Sequence, residues 1–182
     1  GQNPWSTSDL NFDPGQTVTN VSYAYTTGDH RLALYTNSGQ AHVVVDFIGS
    51  FQRRTAESGT AGLFIPTDPV RVLDTREGLG APAAKVGPDS TTRVKVTGLT
   101  GVPETVAAVV LNLTGTNASE DGHVTAYRAG AARPSTSSLN YTGNEDTGAM
   151  TVVPVSTDGY IELYNPHGSL DLVADVQGYY SS

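Results

Sequence analysis

Two copies of one stretch decide the fold of this chain: Val44-Val45-Asp46-Phe47-Ile48-Gly49-Ser50-Phe51 and, 129 residues later, Val173-Ala174-Asp175-Val176-Gln177-Gly178-Tyr179-Tyr180. The same offset, without a gap, places residues 6–12 on residues 135–141. Twelve positions between residues 6 and 51 are identical in the two copies. A match of this length indicates an internal repeat of one structural unit.

The repeat divides the chain into three parts. Residues 1–51 are expected to be the C-terminal half of a unit, and residues 63–182 a full unit. Residues 52–62 are polar and contain glycine, which favours a linker. A segment of about fifty residues without cysteine is close to the lower limit for stable folding. We therefore expect the half unit to pack on the full unit or on another chain, so that its removal lowers the melting temperature or abolishes an oligomer.

Short apolar or alternating runs predict β-strands along the whole chain. They are bounded by Gly, Pro, Asn or Asp, and no window shows a helical apolar stripe. The predicted strands of the half unit are 21–25, 32–34 and 43–47, and those of the full unit are 70–73, 94–96, 106–113, 124–127, 150–155, 160–164 and 170–176. Asp158-Gly159 separates two of these runs and predicts a hairpin turn. The fold class is therefore all-β, an antiparallel β-sandwich or a jelly-roll-like barrel.

The composition restricts the class of partner. Ten Lys and Arg residues stand against eighteen Asp and Glu residues, a net charge of −8, and no basic cluster is present. Nucleic acids and anionic membrane surfaces are bound by clustered cations, so neither is an expected partner. No apolar run approaches the ~20 residues of a transmembrane helix, and membrane insertion is not expected. The absence of cysteine excludes a disulfide scaffold, and the scarcity of lysine favours an extracellular protein.

Several motifs occur in an order that is typical of one family. They are Arg71-Val72-Leu73-Asp74-Thr75-Arg76, Gly98-Leu99-Thr100-Gly101-Val102-Pro103, Ala107-Ala108-Val109-Val110-Leu111-Asn112-Leu113-Thr114 and the closing Ala174–Tyr180 stretch. This set resembles a module of secreted actinobacterial proteins, found alone, in tandem or appended to extracellular hydrolases. The resemblance implies secretion and a non-catalytic accessory or surface role, and it assigns no catalytic residue. The half unit lacks the segment that corresponds to Arg71–Arg76.

Four charged residues are candidates for structural roles. Asp74 and Arg76 flank a predicted strand end, where charge-assisted hydrogen bonds can hold a loop. Asp46 and Asp175 lie inside otherwise apolar strands, and a buried carboxylate without a partner is very costly. Each is therefore expected to pair with a backbone amide or an arginine, and Arg76 is the expected partner of Asp175.

Some residues of the chain are candidates for a metal site. Asn117, Glu120 and Asp121 bring several oxygen ligands close together in sequence, which suits Ca²⁺. The alternative is an ordinary turn rich in Asp, Asn and Gly. No pair of histidines has the spacing of a zinc site, and no Gly-x-Ser-x-Gly nucleophile turn occurs. We therefore predict that the protein is not an enzyme and needs no cofactor, with Ca²⁺ as the one open alternative.

An aromatic pair suggests a ligand. In the predicted strand 160–164, Ile161 and Leu163 should face the core, while Tyr160, Glu162 and Tyr164 should face outward. Two tyrosines about 7 Å apart can stack on sugar rings while nearby polar groups accept hydroxyl hydrogen bonds. The alternative is that these tyrosines cover a neighbouring sheet or copy.

Two functions follow from these patterns. The first is an extracellular, non-catalytic β-sandwich module for surface attachment or adhesion, with a polysaccharide or cell-wall glycan as its ligand. The second is a structural subunit of an extracellular assembly or filament, because a half unit has open strand edges and such edges pair with other strands. Self-association through strand edges belongs to this second function.

Overall fold

The computed structural model of the protein describes residues 8–24, 26, 28–51 and 59–182. These residues contain eight β-strands and no helix, which confirms the all-β class. The strands are β1 Phe64–Asp74, β2 Ser90–Lys95, β3 Ala108–Thr116, β4 Gly122–Arg128, β5 Leu139–Tyr141, β6 Thr147–Pro154, β7 Tyr160–Asn165 and β8 Asp171–Tyr180. All seven strands predicted for the full unit overlap one of these. β5 was missed because its three residues are too short for a periodic pattern.

The strands form two antiparallel sheets of four, in the orders β1-β8-β3-β6 and β2-β7-β4-β5. Val and Leu side chains from both sheets fill the space between them, including the fully buried Leu73, Val94, Leu111 and Leu163. This arrangement is a β-sandwich. Alternation along each strand provides the apolar face that the opposite sheet covers.

Consecutive strands alternate between the two sheets, except for β4 and β5. The turn at Asp158-Gly159 therefore connects β6 of one sheet to β7 of the other, and the predicted hairpin is wrong. The turn itself is present, since the Gly159 N–H donates to the Ser156 carbonyl over 2.9 Å and Gly159 has a φ of +86°. Turn chemistry is local, whereas the sheet that the next strand joins depends on distant partners.

The described part of the half unit, residues 8–24, 26 and 28–51, forms no strand. The strands predicted at 21–25, 32–34 and 43–47 are therefore absent, and Tyr25 lies outside the described residues. Of the predicted linker only residues 59–62 are described, where the Gly62 N–H donates to the Ser181 carbonyl over 2.8 Å. No helix in the described ranges has the length and apolar character needed to cross a membrane.

Candidate functional site

The pairing pattern of the sandwich follows one rule. Each of the six strand pairs joins one strand of the first half, β1–β4, to one strand of the second half, β5–β8. Among the eight described strands, no two second-half strands are hydrogen-bonded to each other. A polypeptide that carries only a second half therefore has strand sequences but no strands to pair with.

Residues 8–51, here called the arm, match only second-half strands in sequence. The offset of 129 residues places arm residues 10–12 on β5, 18–25 on β6, 31–36 on β7 and 42–51 on β8. The arm thus contains the sequences of four second-half strands and none of a first half. A strand is stabilised by its neighbours in a sheet, and within the described residues these arm segments have no neighbouring strand.

Exposure of the arm confirms that its apolar face is uncovered. Leu163 in β7 is 0% exposed, whereas the matched Leu34 of the arm is 62% exposed. Val176 in β8 is 0% exposed, whereas the matched Phe47 is 83% exposed. The same contrast holds for exposed Leu10, Phe12, Leu32, Val43 and Val45 against buried Leu139, Tyr141, Ile161, Leu172 and Ala174. Apolar surface of this extent is typical of an interaction site.

Within the described residues, contacts of the arm with the sandwich occur at Phe51 and Tyr23 and at Thr19. The Phe51 ring lies 5.5 Å from that of Tyr23 and 6.2 Å from that of Tyr180, between ring centroids. Burial, together with a hydrogen bond to Tyr23, raises the pKa of Tyr180 to about 12. At β5, the Asn140 amide donates to the Thr19 hydroxyl beside a cleft of about 130 Å³. Neither contact covers the apolar face described above.

The predicted role of Asp74 and Arg76 is supported by their geometry. Asp74 ends β1 and is 1% exposed. Its carboxylate accepts hydrogen bonds from the Arg76 side chain at 2.9 and 2.7 Å, from the Arg76 N–H at 3.1 Å and from Arg71 at 3.3 Å. The Arg76 hydrogen bond lowers the pKa of Asp74 to about 2. This network holds the turn that follows β1.

Asp175 pairs with Arg71 and not with Arg76, so that part of the prediction is wrong. Arg71 Nε and Nη2 donate to the two Asp175 oxygens over 2.9 and 3.2 Å. Arg71 and Asp175 are register partners in the β1–β8 pair, whereas Arg76 lies beyond the end of β1. Arg71 is the first residue of the Arg71–Arg76 motif. Only the strand register distinguishes the two arginines as partners of Asp175.

The predicted tyrosine platform has the expected alternation but not open ring faces. Ile161 and Leu163 are buried in the core, and Tyr160 and Glu162 are half-buried on the other face. The Arg93 guanidinium carbon lies 4.4 Å from the centroid of the Tyr160 ring. Stacking of a sugar on this face would require displacement of the arginine.

Tyr164 is covered more completely. Its side chain is buried, and the guanidinium carbon of Arg133 lies 3.6 Å from its ring centroid. Its hydroxyl donates to Asp89 over 2.7 Å, and this bond is the main reason that the pKa of Tyr164 is raised. These contacts are closer to the alternative prediction, in which the tyrosines cover neighbouring parts of the protein.

The residues proposed for Ca²⁺ take part in other hydrogen bonds. The Asn117 amide donates to Asp171 over 3.1 Å, and Asp121 accepts from the Gly143 N–H over 2.8 Å. Asn117 has a φ of +52°, as expected for asparagine in a turn. Among the described residues, no three His, Cys, Asp or Glu side chains are grouped so that they could hold a metal. The turn interpretation, with Glu120 and Asp121 as turn residues, accounts for these contacts.

Comparison with known proteins adds no family: no family model matches the chain, and no curated protein matches it. The function must therefore be inferred from strand pairing and exposure, and the arm is the feature that the sandwich itself leaves unexplained.

Proposed function

We propose that this protein is a non-catalytic structural module that joins polypeptides by β-strand pairing, with the arm as its attachment element. One observation carries the proposal. The arm has the sequences of four second-half strands, and it exposes the apolar residues that the sandwich buries at the matched positions. Burial of one such side chain stabilises a complex by about 1.5–3 kcal/mol before the loss of conformational entropy is subtracted.

The pairing rule identifies the class of partner. A polypeptide that completes the arm must supply strands of the β1–β4 type, because second-half strands pair only with these in the described sandwich. Within residues 1–182 the strands of the one first half, β1–β4, are already paired. The partner is a polypeptide segment that carries an unpaired first half.

A coordinated pair of differences fits burial of the arm in such a sandwich. In the full unit, the Tyr141 hydroxyl donates to Asn165 over 2.7 Å, and both residues are buried. The matched arm residues are Phe12 and Thr36. The arm therefore lacks both the hydroxyl of Tyr141 and the amide of Asn165. Neither group would be buried in the completed sandwich without its hydrogen-bonding partner.

Attachment outside the cell is part of the proposal. The resemblance to secreted modules and the presence of only two lysines support an extracellular location. Adhesion to a polysaccharide or cell-wall glycan stays a prediction with less support, because Arg93 and Arg133 lie over the rings of Tyr160 and Tyr164. Retention of the protein on insoluble cell-wall polysaccharide, lost on Tyr160→Ala, would favour the glycan.

A fusion protein tests the strand-pairing function directly. A second copy of residues 63–134 is placed before Ser6 of the chain, so that Pro134 precedes Ser6 as it precedes Ser135 in the full unit. We expect arm amides that exchange rapidly in the original chain to become protected in the fusion, measured by hydrogen exchange with mass spectrometry. Equally rapid exchange in both proteins would refute the proposed function.

Two neighbouring arm residues provide matched variants. Leu34 corresponds to the fully buried Leu163, whereas Ala33 corresponds to the half-buried Glu162. In the fusion, Leu34→Glu should abolish the protection, and Ala33→Glu, which introduces the residue of the full unit, should preserve it. Equal effects of the two variants would mean that the protection does not come from a second sandwich.

A further inference from the structure

We infer that Asp46 and Gly49 specify which first half the arm accepts, by recognising the first strand of the partner. Asp46 is the acceptor for an arginine of that strand, and Gly49 is the point at which the backbone of that strand comes closest. The inference rests on the proposed function and adds its specificity. The partner is thereby a first half whose first strand is of the β1 type, with a cation at the position of Arg71.

The carboxylate of Asp46 supports this inference because the matched residue of the full unit binds an arginine. Asp46 corresponds to Asp175, whose two oxygens accept from Arg71 directly across the β1–β8 pair. Asp46 is exposed, and no salt bridge to it is formed within the described residues. Pairing of residues 42–51 between two strands would enclose this carboxylate. A partner without a cation opposite Asp46 would leave the charge uncompensated, which disfavours that partner.

Gly49 supports the inference independently of Asp46. A Cβ atom on Gly178 would lie 2.7 Å from the carbonyl oxygen of Ile65 and 2.7 Å from the ring of Phe64, both in β1. Glycine is therefore required there by the close approach of β1. A Cβ atom on the matched Gly49 would meet no described atom within 4 Å, and the φ of Gly49 is not in the left-handed region. The surroundings of Gly49 in the arm do not require glycine. A β1-type strand that paired with residues 42–51 would require it, because its backbone would approach position 49 as closely as β1 approaches Gly178.

Charge reversal in the fusion protein tests the recognition. The single variants are Asp46→Arg in the arm and Arg71→Asp in the added copy only, and the double variant combines them. Each single variant should reduce the protection of arm amides at least about tenfold, as expected for the loss of a close charge pair. The double variant should restore most of it. Asp46→Asn removes the charge with little change in the size of the side chain, and it should weaken the protection of arm amides. This variant keeps the test informative if the larger arginine of Asp46→Arg prevents strand pairing altogether.

Gly49→Ala provides the second readout. In the fusion it should reduce arm protection, and in the original chain it should leave hydrogen exchange and melting unchanged. Two results would overturn this inference while the proposed function stands. In the first, Asp46→Asn and Gly49→Ala do not change the protection of arm amides in the fusion. In the second, the double charge reversal does not restore the protection that the single variants lose. Absence of protection in the unsubstituted fusion would overturn the proposed function itself.

Discussion

At the scale of single residues, Asp74 shows how a short motif becomes a structural device. Its carboxylate is almost completely buried and accepts hydrogen bonds from both arginines of the Arg71–Arg76 motif. The two arginines are about half exposed, so their charges keep contact with water. The buried carboxylate is thus fully hydrogen-bonded without two further buried charges, which keeps the desolvation cost low.

Asp74→Asn should lower the free energy of unfolding by about 2 kcal/mol, because charge-assisted hydrogen bonds from Arg71 and Arg76 are weakened. Urea denaturation at pH 7 measures the effect. Asp68→Asn, which changes an exposed carboxylate on the same strand, is the control and should change stability by less than about 0.5 kcal/mol. Equal midpoints for the two variants would contradict a structural role of Asp74.

The same carboxylate should make stability depend on pH in a defined range. The pKa of Asp74 is about 2 in the folded protein, below the ordinary value of about 3.9 expected after unfolding. The unfolded chain therefore binds the proton more readily, and the stabilisation is complete above pH 4 and is lost as the pH falls toward 2. The difference in urea midpoint between the wild type and Asp74→Asn should shrink between pH 4 and pH 2.5. A constant difference would show that the pKa of Asp74 is not lowered.

At the scale of elements, β8 is a central strand of its sheet. It lies between β1 and β3, and Leu172, Ala174 and Val176 are fully buried. Its matched arm segment, residues 42–51, keeps Asp46 and Gly49 but has no neighbouring strand within the described residues. The same type of sequence is thus a central strand in one place and an unpaired segment in another, because only one of them has first-half strands beside it.

Gly178→Ala and Gly49→Ala should have different effects in the original chain. The first introduces a methyl group against the Ile65 carbonyl and should destabilise the sandwich by about 1–3 kcal/mol. The second meets open space and should leave stability unchanged. Thermal unfolding followed by circular dichroism compares them. A normal melting temperature for Gly178→Ala would mean that β1 can move away at no cost.

At the scale of the whole molecule, the described residues form a sandwich, whose strands all pair with one another, and an arm with an uncovered apolar face. All strands of the sandwich are paired within residues 64–180, and the arm contributes none of them. The contacts of Phe51 and Thr19 with the sandwich are peripheral. The stability of the sandwich and the attachment of the arm should therefore be separable properties.

Removal of residues 1–51 should leave one cooperative unfolding transition, with a melting temperature within about 5 °C of that of the full chain. The reason is that every first-half strand keeps its own second-half partner. Differential scanning calorimetry measures this outcome. It differs from the expectation based on sequence alone, in which the half unit packs on the full unit or on another chain, so that its removal lowers the melting temperature or abolishes an oligomer. A much lower melting temperature or loss of cooperativity would support that earlier expectation.

The sequence by itself determined the features that depend on local pattern. Alternating Val, Leu and Ile predicted seven of the eight strands, because side chains on a strand alternate between its two faces. The offset of 129 residues related Asp46 to Asp175 and Gly49 to Gly178 without any structure. The need of Asp175 for a hydrogen-bonding partner, either a backbone amide or an arginine, also followed from its apolar neighbours alone, since an unpaired buried charge is costly.

The tertiary structure decided everything that depends on which distant segments meet. It placed the strands on either side of Asp158-Gly159 in different sheets, paired Asp175 with Arg71, and laid Arg93 and Arg133 over the two tyrosines. It also showed that second-half strands pair only with first-half strands in the sandwich, and that the described residues of the arm form no strand. Hydrogen bonds between strands join residues far apart in the chain, and a local pattern carries no information about which segment supplies the other partner.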